Sequence, residues 1–367
     1  MTGAMYAAIS GLKTHMQKLN VIGNNIANVN TFGYKSGRTI FKEGLYTTLS
    51  GGSNGTATTG GTNPAQIGYG VETGSIGINM STGTYSPTGY STDCMIDGDG
   101  FFLVGNKDVR IDADKPESLK NLTLTRVGDF SFSADGYLTD GNGNVVYGFI
   151  TVEDEDAVGG TSVSDQLVPI RLPMMSATTE EDAAGNTVTT YELKFPIAED
   201  GTALADQVSE DADNPYTRVS LDSITIDGVT GKVTGITKDT DEVIVIGYIA
   251  LGNVTNPSGV SHESGPYYKA LDGAGELTIS LLGGIANDLG ISHVNGSLSE
   301  AGDDGLIGMA IGSAGTTKLI TGGLEASTTD LATEISEMIT TQRGYQANTR
   351  IITVTDSMLE ELVNIKR

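Results

Sequence analysis

Apolar residues recur every seven positions at both ends of this 367-residue chain, and this spacing constrains the fold more than any other feature. Near the N-terminus the repeat comprises Met5, Leu12, Leu19 and Ile26, with Ala8, Ile22 and Val29 as companions. Near the C-terminus it comprises Leu324, Leu331, Met338, Tyr345, Ile352 and Leu359. A heptad of this kind predicts an amphipathic helix with a seam that fits another helix.

Further apolar side chains widen both stripes, namely Ile9, Met16, Ile335, Ile339, Met358, Leu362 and Ile365. Ser327 and Asp330 precede the second stripe with the spacing of a capping pair. Because helices gain most of their stability from packing, we expect the two helices to pair with each other or with other copies of the chain. Both ends should be poorly ordered in a monomer and helical in an assembly.

Between the two heptad segments the apolar period changes to two, which predicts β-strands. The run "VIVIGYIAL" at 243–251 indicates a buried strand, and Asp97–Gly100 separates two apolar runs as a hairpin turn would. Further turns are predicted at Asp135-Gly136 and Gly141–Asn144. The predicted fold is mainly β with terminal α-helices, which pair as a coiled-coil-like domain.

Changes in composition divide the chain into five segments. Residues 50–64 are of low complexity, and 151–240 are the most acidic and least patterned. We expect an N-terminal coiled-coil helix at 1–32, an extended connector at 33–70, a β-rich middle domain at 71–150 plus 241–323, an inserted β domain at 151–240 and a C-terminal coiled-coil helix at 324–367.

The net charge of −25 is unevenly distributed. Residues 1–42 carry five basic and no acidic side chains, whereas residues 43–323 carry 39 acidic and 12 basic ones. A surface this acidic repels phosphates, so we expect no binding of nucleic acid. The basic N-terminal segment should therefore have a different environment from the middle of the chain.

The first thirty residues do not form a signal peptide, because Lys13, His15 and Lys18 interrupt the apolar pattern. No apolar run approaches membrane-spanning length, so we expect no membrane insertion. The chain either stays inside the cell or leaves by a route that needs no cleaved signal. The single cysteine, Cys94, lies among apolar residues and should be a buried thiol.

The sequence contains no motif that indicates a catalytic site. Ser53 matches a nucleophile motif in "GGSNG" but lacks the strand and helix that such a serine needs. The stretch 312–318 lacks the glycine–lysine pair of a phosphate loop, and 140–144 lacks the closing acid of a calcium loop. The three histidines lie away from any serine or cysteine motif, at positions 15, 262 and 293.

We therefore expect no catalytic residue, no cofactor-binding residue and no metal ligand, and we favour a self-assembling structural subunit over an enzyme. A carbohydrate-active or cation-binding surface enzyme stays open as an alternative. It would need two carboxylates placed across a cleft, which the sequence neither supports nor excludes.

The stretch "NNIANVNTFGYK" at 24–35 places four asparagines within seven positions at the end of the first heptad segment. Asparagine is a mediocre helix former because its side chain competes for nearby backbone groups. The stretch therefore predicts the change from a helix to an extended segment. There, short polar side chains can bond backbone groups of their own chain or of a neighbouring copy, and Gly33 supplies a turn.

Both ends of the chain resemble the signatures of the bacterial flagellar rod and hook protein family. The N-terminal resemblance involves Asn24, Asn25, Ile26, Ala27, Asn28, Asn30, Thr31, Gly33, Tyr34 and Lys35. The C-terminal resemblance involves Gln342, Arg343, Tyr345, Gln346, Ala347, Asn348, Met358, Leu359, Leu362 and Asn364. In between, "IDGDGFFLV", "TRVGDFSFSADGYL" and "NPSGV" resemble the β-domain motifs of the family in the same order.

The insert at 151–240 resembles the hook subunits of this family more than its shorter rod members. The resemblance implies a homopolymer of many copies, with the terminal helices in an inner tube and the β domains outside. The helix seams would drive assembly through Met5, Leu12, Leu19, Ile22, Ile26, Leu331, Ile335, Met338, Tyr345, Ile352, Leu359 and Leu362. A distal rod or hook–filament junction component is the alternative within the family.

The implied partners are the flagellar rod, the hook cap, the hook–filament junction proteins and the flagellar export apparatus. The implied location is the flagellar hook and basal body, an extracellular appendage reached without a cleaved signal peptide. Many relatives have Ser-Asn-Val-Asp before the last helix, where this chain has Ser327-Thr328-Thr329-Asp330. We expect the helix cap to use Ser327 and Asp330.

Overall fold

The computed structural model describes residues 2–56, 58–107, 121–153, 161–164, 166–181, 187–196, 216–282, 312–313 and 317–365. His293 lies outside the described residues, as does part of the 312–318 stretch. In the part that is described, helices lie at both ends and strands lie between them, so the prediction of a β-rich chain with terminal helices is confirmed. Neither helix of the described residues is long and apolar enough to span a membrane.

The α-helices are α1 (Thr2–Ala27) and α2 (Leu331–Ile365), and single 3-10 turns lie at Pro257–Gly259 and Asp272–Ala274. The strands are β1 (Gly37–Glu43), β2 (Tyr46–Ser50), β3 (Ala65–Gly68), β4 (Val71–Ile78), β5 (Tyr85–Pro87), β6 (Cys94–Asp97), β7 (Phe101–Gly105), β8 (Thr123–Thr125), β9 (Ser131–Phe132), β10 (Leu138–Thr139), β11 (Val145–Glu153), β12 (Thr161–Val163), β13 (Val168–Pro169), β14 (Met174–Glu181), β15 (Thr187–Lys194), β16 (Thr217–Arg218), β17 (Leu221–Ile226), β18 (Lys232–Thr237), β19 (Val243–Val254), β20 (Ser261–His262), β21 (Tyr267–Lys269), β22 (Leu277–Leu281), β23 (Gly312–Ser313), β24 (Lys318–Thr321) and β25 (Gly323–Glu325).

The chain forms two compact units. The terminal unit comprises Met1–Ser81 and Ser327–Arg367, so it contains both helices and strands β1 to β4. The middle unit comprises Thr82–Ala326 and contains the other strands. The finer division into five segments stays a prediction.

Helix α2 begins where its sequence supplies a cap. The backbone N–H of Ala332 donates to Asp330 Oδ1 at 3.1 Å, and the Thr333 hydroxyl donates to Asp330 Oδ2 at 2.6 Å. Ser327 Oγ accepts instead from the backbone N–H of Thr329. The C-terminal heptad began at Leu324, but this residue lies in β25 and is buried there.

Strands β1 to β4 form one long hairpin in the terminal unit. Strand β1 pairs with β4 and β2 pairs with β3, and the backbone bonds from Gly44 to Gly70 (2.8 Å) and from Tyr69 to Leu45 (2.9 Å) join the two pairs. Gly70 has φ +105°, and a Cβ there would collide with the Ser10 hydroxyl of α1. The base of the hairpin therefore packs closely against α1 at a position that favours glycine.

The middle unit is built on a 14-stranded sheet whose main path runs β17-β18-β19-β11-β7-β8-β21-β20. Strand β19 has twelve residues and is mostly buried, so the buried strand predicted from "VIVIGYIAL" is confirmed. Most apolar side chains of β7, β11 and β19 are buried in the core, and the rings of Phe102 and Phe130 meet edge to face at 4.9 Å. Burial of each such side chain contributes about 1.5–3 kcal/mol, which makes this sheet the main source of stability in the unit.

The predicted hairpin at Asp97–Gly100 is wrong. Strand β6 pairs with β24, whereas β7 pairs with β8, β11 and β19 in the large sheet. Gly98 and Gly100 have φ of +128° and +122°, so the turn redirects the chain between two sheets instead of reversing it within one. The sequence predicted the turn, but its local signal does not say which strand becomes the partner.

The other two turn predictions are confirmed. Strand β10 pairs with β9 across Asp135-Gly136 and with β11 across Gly141–Asn144. Beside the large sheet lie three smaller ones, with the orders β15-β14-β16, β24-β6 and β25-β5. The first of these lies within the predicted insert at 151–240.

Candidate assembly site

The amide of Asn25 joins three segments of the terminal unit. Its Nδ2 donates to the Gly37 carbonyl and to Glu334 Oε1, both at 2.9 Å. Its Oδ1 accepts from the Gly37 N–H at 2.9 Å and from the Tyr34 hydroxyl at 3.0 Å. Asn25 is 1% exposed, and these four bonds satisfy the whole hydrogen-bonding capacity of its side chain.

The neighbouring asparagines hold the turn that follows α1. Asn24 Nδ2 donates to the Tyr34 hydroxyl at 2.9 Å, and Asn28 Nδ2 donates to the Asn24 carbonyl at 2.9 Å. The Thr31 hydroxyl donates to Asn28 Oδ1 at 3.1 Å. Gly33 has φ +67°, so it supplies the turn that the sequence predicted. Asn30 is exposed.

Residues 34–36 form hydrogen bonds to the two chain segments that link the terminal unit to the middle unit. Lys35 is buried, and its Nζ donates to the Ser81 carbonyl at 2.8 Å. The Thr328 N–H donates to the Tyr34 carbonyl at 3.1 Å, and the Ser36 N–H donates to Thr328 Oγ1 at 2.9 Å. Thr328 thus joins the start of the last segment of the chain to residues 34–36.

Sequence reasoning missed Ser36, Gly37, Ser81, Thr328 and Glu334 as members of this cluster. Four of these five residues contribute backbone groups or small hydroxyls, which leave no pattern in a sequence. Glu334 could have been suspected, because it is an acidic residue in the first turn of α2. Burial raises the pKa of Glu334, and burial together with Glu334 raises the pKa of Tyr34.

Helices α1 and α2 lie against each other within the terminal unit. Lys18 Nζ is 2.9 Å from Glu337 Oε2. A Cβ at Gly11 would lie 2.8 Å from Asn348 Nδ2, and one at Gly344 would lie 2.8 Å from His15 Cε1. Each helix therefore places a polar side chain over a glycine of the other. The ring of His15 also meets Phe41 of β1 edge to face at 5.5 Å.

The predicted seam residues are only partly on the covered faces of the helices. Ile22 is buried, whereas the half-buried seam residues are Met5, Leu12, Leu19, Ile26, Met338, Ile352 and Leu359. The exposed ones are Leu331, Ile335, Tyr345 and Leu362. Of the C-terminal signature, Asn348 is half-buried against Gly11, and Gln342, Arg343 and Gln346 are exposed.

The covered face of α2 carries a polar row that the sequence reading missed. Its members are seven residues apart and are Glu334, Thr341, Asn348 and Thr355. Thr341 and Thr355 are buried, and each hydroxyl donates to the backbone carbonyl four residues earlier at 2.7 Å. Because this row takes half of the covered face, much of the apolar surface of α2 is left outside it.

That uncovered surface forms two exposed apolar rows along α2. The first half of the helix exposes Leu331, Ile335 and Ile339, and the second half exposes Val354, Met358, Leu362 and Ile365. Contiguous exposed apolar surface of this kind is uncommon on monomers and marks interaction sites. The role of these residues in assembly stays a prediction.

The outer part of the long hairpin, residues 45–69, is a second exposed surface, and we call it the arm. Every described residue of the arm is exposed, including Leu45 at 80% and Leu49 at 67%. Sequence reasoning expected an extended connector here. Strand β3 alternates apolar and polar residues, as a paired strand would, but β2 shows no such alternation.

The residues that the sequence analysis considered as possible catalytic or metal-binding residues have ordinary structural surroundings. Ser53 is exposed, and its hydroxyl lies 2.8 Å from that of Thr62. Asp140 accepts from the backbone N–H groups of Asn142 and Asn144, which confirms a turn. Cys94 is fully buried as predicted, and burial raises its pKa well above the ordinary value. Among the described residues, no three His, Cys, Asp or Glu side chains converge as a metal would require.

Two family models match the ends of the chain. One is described as "Flagella basal body rod protein" and matches residues 5–35, which include all but the first three residues of α1 and the asparagines at 24, 25, 28 and 30. The other is described as "Flagellar basal body rod FlgEFG protein C-terminal" and matches residues 320–365, which include α2.

Complete chains are also similar. The flagellar basal-body rod protein FlgG of Bacillus subtilis is 31% identical, and the match spans the whole of both chains. The flagellar hook protein FlgE of Borreliella burgdorferi is 26% identical, again across both chains. The flagellar hook protein FlgE of Rhizobium meliloti is 25% identical across this chain and 99% of its own length.

Proposed function

Because the chain belongs to the family of bacterial flagellar rod and hook proteins, we propose that it is a structural subunit of the flagellar hook. Many copies polymerise into a flexible curved tube that passes torque from the motor to the filament and contains the export channel. This role includes no chemical step, so the chain acts as a structural protein and not as an enzyme.

The exposed apolar rows of α2 carry this proposal. A single chain leaves Val354, Met358, Leu362 and Ile365 in water, where each square ångström of apolar surface costs about 25 cal/mol. Neighbouring copies that pack helix against helix remove this cost. In the assembly α1 and α2 form a coiled-coil-like inner domain, and stiff axial contacts of this kind suit the transmission of torque.

The position of the subunit in the flagellum follows from the same proposal. At its two ends the tube meets the rod and the hook–filament junction proteins, and a cap protein covers the growing end. The export apparatus delivers the chain without a cleaved signal peptide. The assembled hook lies outside the cell.

A truncation tests the proposal. The purified full chain should form curved tubes in electron microscopy, and its helical circular dichroism signal should rise as it polymerises. Deletion of residues 331–367 should abolish tubes and keep the β signal, because the middle unit ends at Ala326 and stays complete. Tubes formed by the truncated chain would contradict the proposal.

Point variants of α2 give a matched comparison. Met358→Ser combined with Leu362→Ser removes apolar side chains from the exposed row and should raise the concentration needed for polymerisation by about tenfold or more. Thr349→Ser combined with Thr353→Ser changes two other exposed positions of the helix and should leave that concentration unchanged.

A subunit of the distal rod is the second candidate. The full-length similarity to the Bacillus subtilis rod protein, at 31% identity, favours it. Both roles use the same assembly surfaces, so the shape of the polymer separates them. A curved tube of many copies supports the hook, whereas a straight rod of a few tens of copies supports the rod.

A further inference from the structure

Arg126 and Glu325 are charged side chains buried in the middle unit, with 2% and 1% of their surface exposed. Arg126 Nη1 lies 3.9 Å from Glu325 Oε2. Removal of two charges from water costs free energy that their attraction returns only in part, and apolar residues of similar volume are often at least as stable. A contribution to stability therefore does not explain why this charged pair is buried.

Arg126 connects the large sheet to one of the small ones. It follows β8, which belongs to the 14-stranded sheet, and its Nη1 donates to the carbonyl of Ile96 in β6 at 3.4 Å. Its guanidinium carbon lies 5.3 Å from the centre of the Phe101 ring in β7. Burial lowers the pKa of Arg126, and the charge of Glu325 opposes that shift.

Glu325 lies where the chain leaves the middle unit. It is the last residue of β25, and its Oε1 accepts from the backbone N–H of Gly83 at 2.6 Å. Gly83 lies where the chain enters the same unit, and a Cβ there would collide with the Ala326 carbonyl. The glutamate side chain therefore ties the incoming segment to the outgoing one.

The two segments also pair as strands. Glu325 lies opposite Tyr85 in the β5–β25 pair, and the Ala326 N–H donates to the Thr84 carbonyl at 2.9 Å. Each strand has only three residues, and a two-stranded sheet is marginal in water without further support. This strand pair needs an attachment to the core if it is to resist force.

We infer that the Arg126–Glu325 pair fastens the β5–β25 strand pair to the 14-stranded sheet, so that force entering at either end of the middle unit passes into its core. Apolar contacts tolerate sliding, whereas the attraction between two buried charges, together with the hydrogen bonds from Arg126 to Ile96 and from Gly83 to Glu325, holds one arrangement. The purpose of the fastening rests on the proposed function as a torque-transmitting subunit.

Hydrogen exchange on the full unassembled chain tests the fastening. In the double variant Arg126→Met with Glu325→Leu, both charges are removed together, so no buried charge loses its partner. Exchange in residues 83–87 and 323–326 should accelerate by about tenfold, as expected when one hydrogen bond to a charged acceptor is lost. Exchange in β19 and the midpoint of thermal unfolding should stay near those of the unchanged chain.

A single variant and a matched control complete the experiment. Glu325→Gln keeps a side-chain oxygen that can accept the hydrogen bond from the Gly83 N–H, but it removes the charge that faces Arg126. This variant should also accelerate exchange in residues 83–87. Glu263→Gln removes the same charge from an exposed pair of this unit, in which Glu263 lies 2.8 Å from Lys269. This control should leave exchange in residues 83–87 and 323–326 unchanged.

Three outcomes would overturn the inference. They are unchanged exchange in the strand pair, a uniform acceleration that includes β19, and loss of the cooperative fold in the double variant. Hydrogen exchange is measured on the unassembled chain. It therefore tests whether the Arg126–Glu325 pair fastens the strand pair even if the chain forms no tube. In tubes that do form, the double variant should bend more readily in electron micrographs.

Discussion

The side-chain amide of Asn25 has two N–H donors and two acceptor positions, and the terminal unit uses all four. Its partners are Tyr34, Gly37 and Glu334, so one side chain joins the end of α1 to β1 and to α2. The asparagines at the end of α1 are therefore not a weak helix end. Their side chains form hydrogen bonds that fasten the segment that follows the helix.

Asn25→Leu should lower the free energy of unfolding of the terminal unit by about 2–4 kcal/mol, because buried partners of the amide lose their hydrogen bonds. The measurement is thermal unfolding followed by the helical circular dichroism signal. Asn30→Leu is the control at an exposed asparagine and should change stability by less than about 0.5 kcal/mol. Equal losses in the two variants would contradict the role of Asn25.

His15 gives the terminal unit a dependence on pH. Burial lowers its pKa below the usual 6.5, and the charge of Lys18 lowers it further. The folded state then binds fewer protons than the unfolded state, so the contribution of His15 is complete above pH 6.5 and is lost as the pH falls below it.

We expect the unfolding temperature of the helical signal to fall between about pH 7.5 and 5.5, and His15→Gln to reduce that slope. His262→Gln changes an exposed histidine of the middle unit and should leave the slope as it is. An equal slope in the chain with His15→Gln would show that other groups cause the pH dependence.

At the level of elements, α2 divides its heptad positions between polar and apolar side chains. Glu334 and Asn348 contact α1 at Asn25 and Gly11, and the other two members of the row, Thr341 and Thr355, are buried. Polar residues in a helix seam specify register at a cost in stability. Close approach at Gly11 and Gly344 gives each helix room for a polar side chain of the other. The contact between α1 and α2 is therefore specific, and it leaves apolar rows of α2 exposed.

The arm, residues 45–69, is expected to contact another copy of the chain. A two-stranded hairpin that exposes Leu45, Leu49 and Ile67 gains little stability alone and presents free strand edges. Leu45→Ser, Leu49→Ser and Ile67→Ser together should weaken polymerisation about tenfold or more and leave the unfolding temperature of the free chain unchanged.

The concentration needed for polymerisation, followed by light scattering, measures this effect. Thr47→Ser with Thr48→Ser alters two exposed positions of the same hairpin and serves as the control. If the three apolar changes lower the stability of the free chain instead, the arm packs within its own terminal unit.

On the scale of the whole molecule, the two units differ in their exposed surfaces and in their charge. The terminal unit holds both helices, the hydrogen bonds around Asn25 and the exposed apolar rows, and its first 42 residues carry only positive charge. The middle unit holds the 14-stranded sheet within a strongly acidic part of the chain, which favours contact with solvent. The exposed apolar rows and the large buried core thus lie in different parts of the sequence.

The sequence by itself determined the features that arise from close neighbours. The two terminal helices, the turn at Gly33, the buried Cys94 and the strand at 243–251 all follow from local spacing and composition. The family could also be recognised from the ends, because the asparagine stretch and the tail each form a continuous motif.

Only the tertiary structure decided which distant groups meet. Asn25 and Glu334 are 309 positions apart, and no local pattern links Arg126 to Glu325 or β6 to β24. The heptads likewise did not show that α2 covers a half-polar face and exposes apolar rows. Periodicity reports which residues share a face of an element, whereas the partner of that face depends on how the whole chain packs.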